Sequence, residues 1–273
     1  MMAYKIICLG LRENQEKSVP VYGLDGNPVK EVKLPSVFNL PVRKDLIRRA
    51  FHSAHTARLQ PKGRDPLAGM RRAGESWGIH HSVARVPRLD NGRAVLAPMT
   101  RGGRLAHPPR VEKVLHEEIN KKERIRAIAS AIAATSREEL VRARGHRFSV
   151  ETLPVIVVDD VESISSTADA KKVLQNLGVW DDVERAATRK RIRSGKGKMR
   201  GRKYKVPKSL LIVVSQHNVP AVRAFRNLPG VDVISADNLS VLHLAPGGVP
   251  GRLTIYSLSA LTKIGEKFEV ISE

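Results

Sequence analysis

The period at which apolar residues recur changes along the chain. From residue 155 onward, short apolar runs alternate with helical stripes. Val155-Ile156-Val157-Val158, Leu210–Val214, Val231-Asp232-Val233-Ile234 and Leu253–Tyr256 read as strands. An unbroken apolar run suits a strand covered on both faces. Ala170, Val173, Leu174 and Leu177 recur at helical spacing and stop at Gly178. Val219–Phe225 and Leu239–Leu244 predict short helices, and Ser257 a cap for a final helix through Ile264. Strands alternating with helices predict an α/β fold: a mostly parallel sheet of about four strands, joined by right-handed crossovers.

The first third is organised differently. Tyr4–Leu9 and Val29–Leu34 have strand-like composition on either side of the turn-forming Leu24-Asp25-Gly26-Asn27-Pro28. Val42, Leu46, Ile47, Ala50, Phe51 and Ala54 predict a helix over about 42–57, whose other face carries Arg48, His52, His55 and Arg58. Further on, Val111, Val114, Leu115 and Ile119 form a helical stripe. Asn120 with Glu123 predicts a capped helix start that Ile125, Ile128, Ala129 and Ile132 continue. Ser136 with Glu139 repeats the capping pattern, and Gly145 is placed to stop that helix.

Between residues 56 and 110 neither period is present. Gly and Pro recur throughout, from Pro61 and Gly63 to Pro108 and Pro109, at a spacing that interrupts helices and strands. Leu59, Leu67, Met70, Trp77, Ile79, Leu89, Leu96 and Leu105 are its few large apolar residues. Ordering such a segment costs on the order of 55–110 kcal/mol of backbone entropy, so the expectation is an arm that a partner orders. Folded back as two legs, it would reach at most about 90 Å from its root. The predicted organisation is a globular unit of residues 1–55 and 111–273, an arm over 56–110 inserted near its N-terminal part, and a basic loop over 188–206 within the globule.

Charge identifies the partner class. The arm holds eleven cations, Arg58, Lys62, Arg64, Arg71, Arg72, Arg85, Arg88, Arg93, Arg101, Arg104 and Arg110, against Asp65, Glu75 and Asp90. The second basic stretch has no acid: Arg189, Lys190, Arg191, Arg193, Lys196, Lys198, Arg200, Arg202, Lys203 and Lys205, interleaved with glycines and Tyr204. Most of the net charge of +21 therefore lies on two appendages, a distribution that points to a nucleic acid. Glycine lets the backbone approach phosphates, arginine bridges their oxygens, and Tyr204 and Trp77 offer stacking faces. His80 and His81 beside Trp77, and Arg48 and His55 on the helix face, complete the candidate RNA contacts.

Other chemistry is poorly supported. The single cysteine, Cys8, excludes an internal disulfide and multi-cysteine metal sites, and reads as a buried small hydrophobe. Gly195-Lys196-Gly197-Lys198 lacks the spacer and hydroxyl residue of a phosphate-binding loop. Asp159-Asp160 at a strand end suits a metal or nucleotide ligand, or more commonly a turn or helix cap. A Mg²⁺-dependent nucleic-acid enzyme using that pair, or a free RNA-binding regulator, is the alternative. No metal or cofactor is expected beyond Mg²⁺ as RNA counterion. Neither a membrane span nor the layout of a signal peptide is present, which leads us to expect a cytoplasmic protein.

Several segments together resemble the large-subunit ribosomal protein L four family, in its archaeal branch. They are Leu46-Ile47-Arg48-Arg49-Ala50, Gly92-Arg93-Ala94, Ala106-His107-Pro108-Pro109-Arg110, Val157-Val158-Asp159-Asp160 and Arg200-Gly201-Arg202-Lys203-Tyr204. The resemblance runs nearly end to end. It implies an α/β globule on the large ribosomal subunit and an extended loop that penetrates the large rRNA. It also implies that the loop helps to line the peptide exit tunnel beside protein L twenty-two, past which the nascent peptide moves. By position, Trp77, Gly78, Ile79, His80, His81, Ser82 and Arg85 match the tunnel-facing tip. A structural, non-catalytic role with rRNA and other large-subunit proteins as partners follows from the resemblance.

Overall fold

The computed structural model describes residues 4–8 and 17–272. Two units are distinguished: Met1–His55 with Glu118–Glu273, and Thr56–Glu117. Residues 111–117 fall in the second unit, beyond the end predicted for the arm.

The first unit begins with strands β1 (Tyr4–Cys8), β2 (Ser18–Tyr22) and β3 (Pro28–Lys33), then helix α1 (Lys44–Thr56). Helices α2 (Lys121–Thr135) and α3 (Glu138–Ala143) precede β4 (Val155–Val157), α4 (Thr167–Asn176) and α5 (Trp180–Thr188). The basic stretch supplies β5 (Arg191–Ile192) and β6 (Tyr204–Lys205). The remainder alternates: β7 (Leu211–Val214), α6 (Ala221–Arg226), β8 (Asp232–Ser235), α7 (Val241–Leu244), β9 (Thr254–Ser257), α8 (Leu258–Lys267) and β10 (Phe268–Ser272).

The central sheet has six strands in the order β3-β2-β4-β9-β7-β8. The four apolar runs predicted as strands are β4, β9, β7 and β8, and they pair in parallel. Two strands extend this set: β2 joins β4 in parallel, and β3 closes an antiparallel hairpin onto β2. Pro20 concealed β2 in the sequence, because proline demotes a run from strand to edge or non-strand. Here Pro20 sits opposite Glu31 within the hairpin. β1 pairs in parallel with β10 as a separate two-stranded ribbon. Leu9, at the end of the predicted first strand, and the environment of the Cys8 side chain lie outside the described residues.

Strand periodicity divides the core. Val155, Val157, Ile212, Val214 and Ile255 face one cluster with α4, α5 and α6. Ile156, Leu211, Val213 and Tyr256 face the other with α1, α2, α7 and α8. Each large apolar side chain so buried contributes roughly 1.5–3 kcal/mol. α2 is buried over most of its second half, from Ala127 to Thr135, and small side chains let it lie close to its neighbours. Ser130 ties it to the segment before α1: its Oγ donates to the Pro41 carbonyl (2.9 Å) and accepts from the Arg43 N–H (2.7 Å).

Three local expectations fail, each for a visible reason. Residues 111–119 form no helix; of the stripe, Ile119 packs against the core while Val111 and Val114 are exposed, and packing along a whole face is what normally holds a short helix. Asn120 occupies the N-cap position of α2, but its side chain makes no capping bond. Ser136 does not start α3: its Oγ donates to the Ala133 carbonyl at the end of α2 (2.9 Å), and Arg137 is the N-cap residue. Gly145 and Gly178 do follow α3 and α4 with positive φ, and the Ser257 hydroxyl accepts from the Ala260 N–H at the start of α8 (3.2 Å).

Candidate nucleic-acid interface

The second unit is built from two strands of irregular chain lying side by side. The Arg64 N–H donates to the Pro109 carbonyl (3.1 Å), and Glu75 and Arg88 exchange backbone bonds (3.1 and 2.9 Å). Isolated bridges join Glu75 to Arg88 and Arg88 to Ala94, with no helix or extended ladder between them. Gly69 and Gly103 show why glycine is needed midway: a Cβ on Gly69 would lie 2.4 Å from the Gly103 carbonyl oxygen. The legs approach closer there than any side chain allows.

Val95 is the one hydrophobic side chain buried in this unit among the described residues. Leu59, Leu67, Met70, Trp77, Ile79 and Leu105 are all exposed. Its cations are exposed as well: Arg58, Lys62, Arg64, Arg71, Arg72, Arg85, Arg93, Arg101, Arg104 and Arg110. Arg71 pairs with Asp65, and Arg93 donates to the Arg101 carbonyl (3.2 Å).

Arg88 behaves differently from the other candidate contacts. It is partly buried, donates from Nη1 to the Gly92 carbonyl (2.8 Å), and lies 5.9 Å from the Trp77 ring centroid. His81 meets the same indole edge-on at 6.0 Å. Arg88 therefore organises the turn that presents Trp77, which stays 42% exposed. Near the turn, His80 and Ser82 adopt positive φ (71° and 54°), a backbone state uncommon for residues with a side chain. Gly78 and Ile79 complete this exposed turn.

The second basic stretch is a hairpin. β5 and β6 pair antiparallel, Arg191 opposite Lys205 and Ile192 opposite Tyr204, and a 3₁₀ turn over Lys196–Arg200 joins them. Arg193 closes the hairpin: its N–H donates to the Lys203 carbonyl (2.8 Å) and its Nε to the Arg202 carbonyl (3.1 Å). Arg189, Lys190, Arg191, Lys196, Lys198, Arg200, Arg202, Lys203 and Lys205 remain exposed. Tyr204 is half exposed between two ammonium groups, 4.5 Å from Lys190 Nζ and 5.5 Å from Lys203 Nζ. That combination offers a ring face flanked by phosphate-seeking charges.

In the first unit Arg48 is exposed on α1, and His55 stacks on Phe51 with ring centroids 5.8 Å apart.

The carboxylates at the ends of the parallel strands are held by their own fold. Asp159 accepts from the Ser259 N–H (2.8 Å) and hydroxyl (2.6 Å), a bond to the first turn of α8. Glu162, not singled out in the sequence, accepts from the Ser215 N–H, the Ser215 hydroxyl and the Ser257 hydroxyl, each at 2.6 Å. It ties together the loops leaving β7 and β9. For Asp159 this is the turn-and-cap role weighed as the commoner reading of the sequence. No group of three His, Cys, Asp or Glu among the described residues is arranged to hold a metal. No helix among them is long and apolar enough to cross a membrane.

Residues 32–267 match the profile of the Ribosomal protein L4/L1 family. The large ribosomal subunit protein uL4 of Aeropyrum pernix is 57% identical over 271 residues, which cover 98% of this chain and 99% of the relative. Its counterpart in Methanocaldococcus jannaschii is 57% identical over 249 residues (91% and 98%), and that of Sulfurisphaera tokodaii 55% over 258 (94% and 97%).

Proposed function

The chain belongs to the Ribosomal protein L4/L1 family, and on that footing we propose how it serves as a structural, non-enzymatic constituent of the large ribosomal subunit. Large-subunit rRNA is bound by two surfaces, the arm and the β5–β6 hairpin. Their cations neutralise phosphates and release counterions, which drives association and positions the protein without reading sequence. Trp77 and Tyr204 add stacking on unpaired bases. The arm acquires its final order as rRNA folds around it, and then acts as a strut between RNA segments. Its Trp77–Arg85 turn lines the peptide exit tunnel beside protein L twenty-two and faces the nascent peptide. Mg²⁺ enters as a counterion of the RNA.

The observation that carries this reading is the segregation of charge: ten arm cations lie exposed on a unit that buries one hydrophobic side chain. Sedimentation through high salt tests it. The intact protein is expected to travel with the large subunit, and a protein with residues 62–110 replaced by a short Gly/Ser linker to be retained far less. A chain that stays in the supernatant would instead be a free RNA-binding regulator.

A further inference from the structure

A cavity of about 430 Å³ in the first unit is lined by the start of α1, the end of α3 and the loop before β9. Its walls include Lys44, Arg48, Arg144, Val249 and Pro250. Arg144 is anchored by donating to the carbonyls of Val249 and Pro246 (2.6 Å to the latter). Among the described residues no carboxylate pairs with it. Burial, followed by the like charges of Arg252 and Arg185, pushes its pKa down to about 10. The one acid in the lining, Asp45, is paired with Arg43 (2.6 Å). Lys44 and Arg48 are exposed and without an ion pair among the described residues. Gly248 lies across from Arg48 with φ +76°, a backbone state that favours glycine; a Cβ there would make only ordinary contact with the Arg48 Cα, at 3.5 Å.

A guanidinium removed from water among other cations is costly until an anion joins it. Phosphate fits that need, because the remaining N–H donors of a fixed guanidinium match two of its oxygens. The half-exposed Val249 beside these cations offers an apolar surface on which a sugar or base can lie. We propose that this cavity takes one nucleotide of the RNA, its phosphodiester held by Arg144, Lys44 and Arg48 and its nucleoside resting on Val249. The inference rests on the RNA-binding reading above and adds a third contact, on the globular unit and separate in sequence from arm and hairpin.

The test is calorimetric titration of the full chain at low salt with AMP, inorganic phosphate and adenosine. AMP is expected to bind, phosphate to bind more weakly, and adenosine to give no comparable signal. Lys44→Ala with Arg48→Ala should weaken AMP binding at least about tenfold; phosphate-seeking sites on arm and hairpin contribute equally to both proteins. Val249→Glu should also abolish this component while raising the thermal midpoint, because its carboxylate supplies the anion that Arg144 lacks. Unchanged AMP affinity in either variant, adenosine binding as tight as AMP, or a lowered midpoint for Val249→Glu would overturn the proposal. Sedimentation separates this from the broader reading. If wild type still travels with the large subunit, only the cavity assignment fails; if it does not, the RNA-binding reading itself fails.

Discussion

Arg252 and Arg85 carry the same guanidinium and meet opposite fates. In the sheet unit, Arg252 is fully buried and surrounded by acceptors. It donates to the carbonyls of Ser209, His243, Leu210 and Gly230 (2.8–3.2 Å) and pairs with Asp232 at 2.7 Å. Burial would raise the Asp232 carboxyl, but Arg252 and Lys208 beside it outweigh that and hold it below the usual carboxylate range. In the second unit Arg85 lies in water beside a turn that buries nothing large. The sheet brings counter-groups to the arginine that it buries, and so defines its structure alone. The second unit leaves most of its cations without a carboxylate partner, which is the condition for a surface that an RNA completes.

The widest expected contrast between the units is kinetic. In the RNA-free full chain, trypsin should cut between Arg58 and Arg110 at least about a thousandfold faster than within the sheet, given the 5–15 kcal/mol typical of a globular core. Equal protection of both would break the comparison and show that the bonds between the arm's legs suffice to hold it.

Next in size is Arg252→Ala. It removes a donor from four carbonyls, of which those of Leu210 and Gly230 keep backbone partners, and leaves a cavity; removing one partner of a buried pair costs about 3–5 kcal/mol. Urea unfolding measures it; a loss under about 1 kcal/mol would mean that the network is dispensable. The matching change in the arm, Arg85→Ala, should leave the unfolding midpoint where it was.

RNA binding reverses that ranking. Replacing Arg71, Arg72 and Arg85 with alanine should lower the salt slope of binding to a large-subunit rRNA fragment by about 2–3 units. The lower figure is favoured because Arg71 is already paired with Asp65. An unchanged slope would remove these residues from the phosphate contacts.

The smallest effect concerns pH and belongs to the sheet unit alone. His146 is buried, with Nδ1 2.9 Å from the Asp182 carboxylate and Nε2 without a partner among the described residues. Burial lowers its pKa, and pairing with Asp182 does not restore it. The unfolded chain regains the ordinary value near 6.5, so on acidification it takes up a proton that the folded protein declines. Stability should therefore be full above about pH 6.5 and fall as the pH drops through that value. The Asp182 carboxyl, which burial would raise, is held low by His146 and Arg185; it adds a loss of the same sign at lower pH. Urea midpoints between pH 8 and 5 test this. A flat wild-type profile, or one that His146→Asn does not blunt, would show that the imidazole is not responsible.

Local pattern made much of the molecule legible. The runs at 155–158 and 210–214 pointed to strands buried on both faces because they show no polar alternation, and those at 231–234 and 253–256 read as strands although Asp232 and Thr254 interrupt them. The arm could be read as irregular from its Gly and Pro spacing, and its cations as exposed because nothing nearby could bury them. The stripe at 111–119 misled for the same reason that the others succeeded: spacing describes a face, and a face becomes a helix only where a core receives it.

What the chain determined on its own was therefore the alternation of β and α, the separation of charge, and the class of partner. Tertiary structure decided which distant groups meet. Arg252 with Asp232, Glu162 with Ser215 and Ser257, and Arg144 beside Lys44, Arg48 and Val249 are assembled from segments far apart in sequence. Periodicity records how each residue relates to its own element. Pairing across elements depends on strand order and crossover, and no local spacing encodes either.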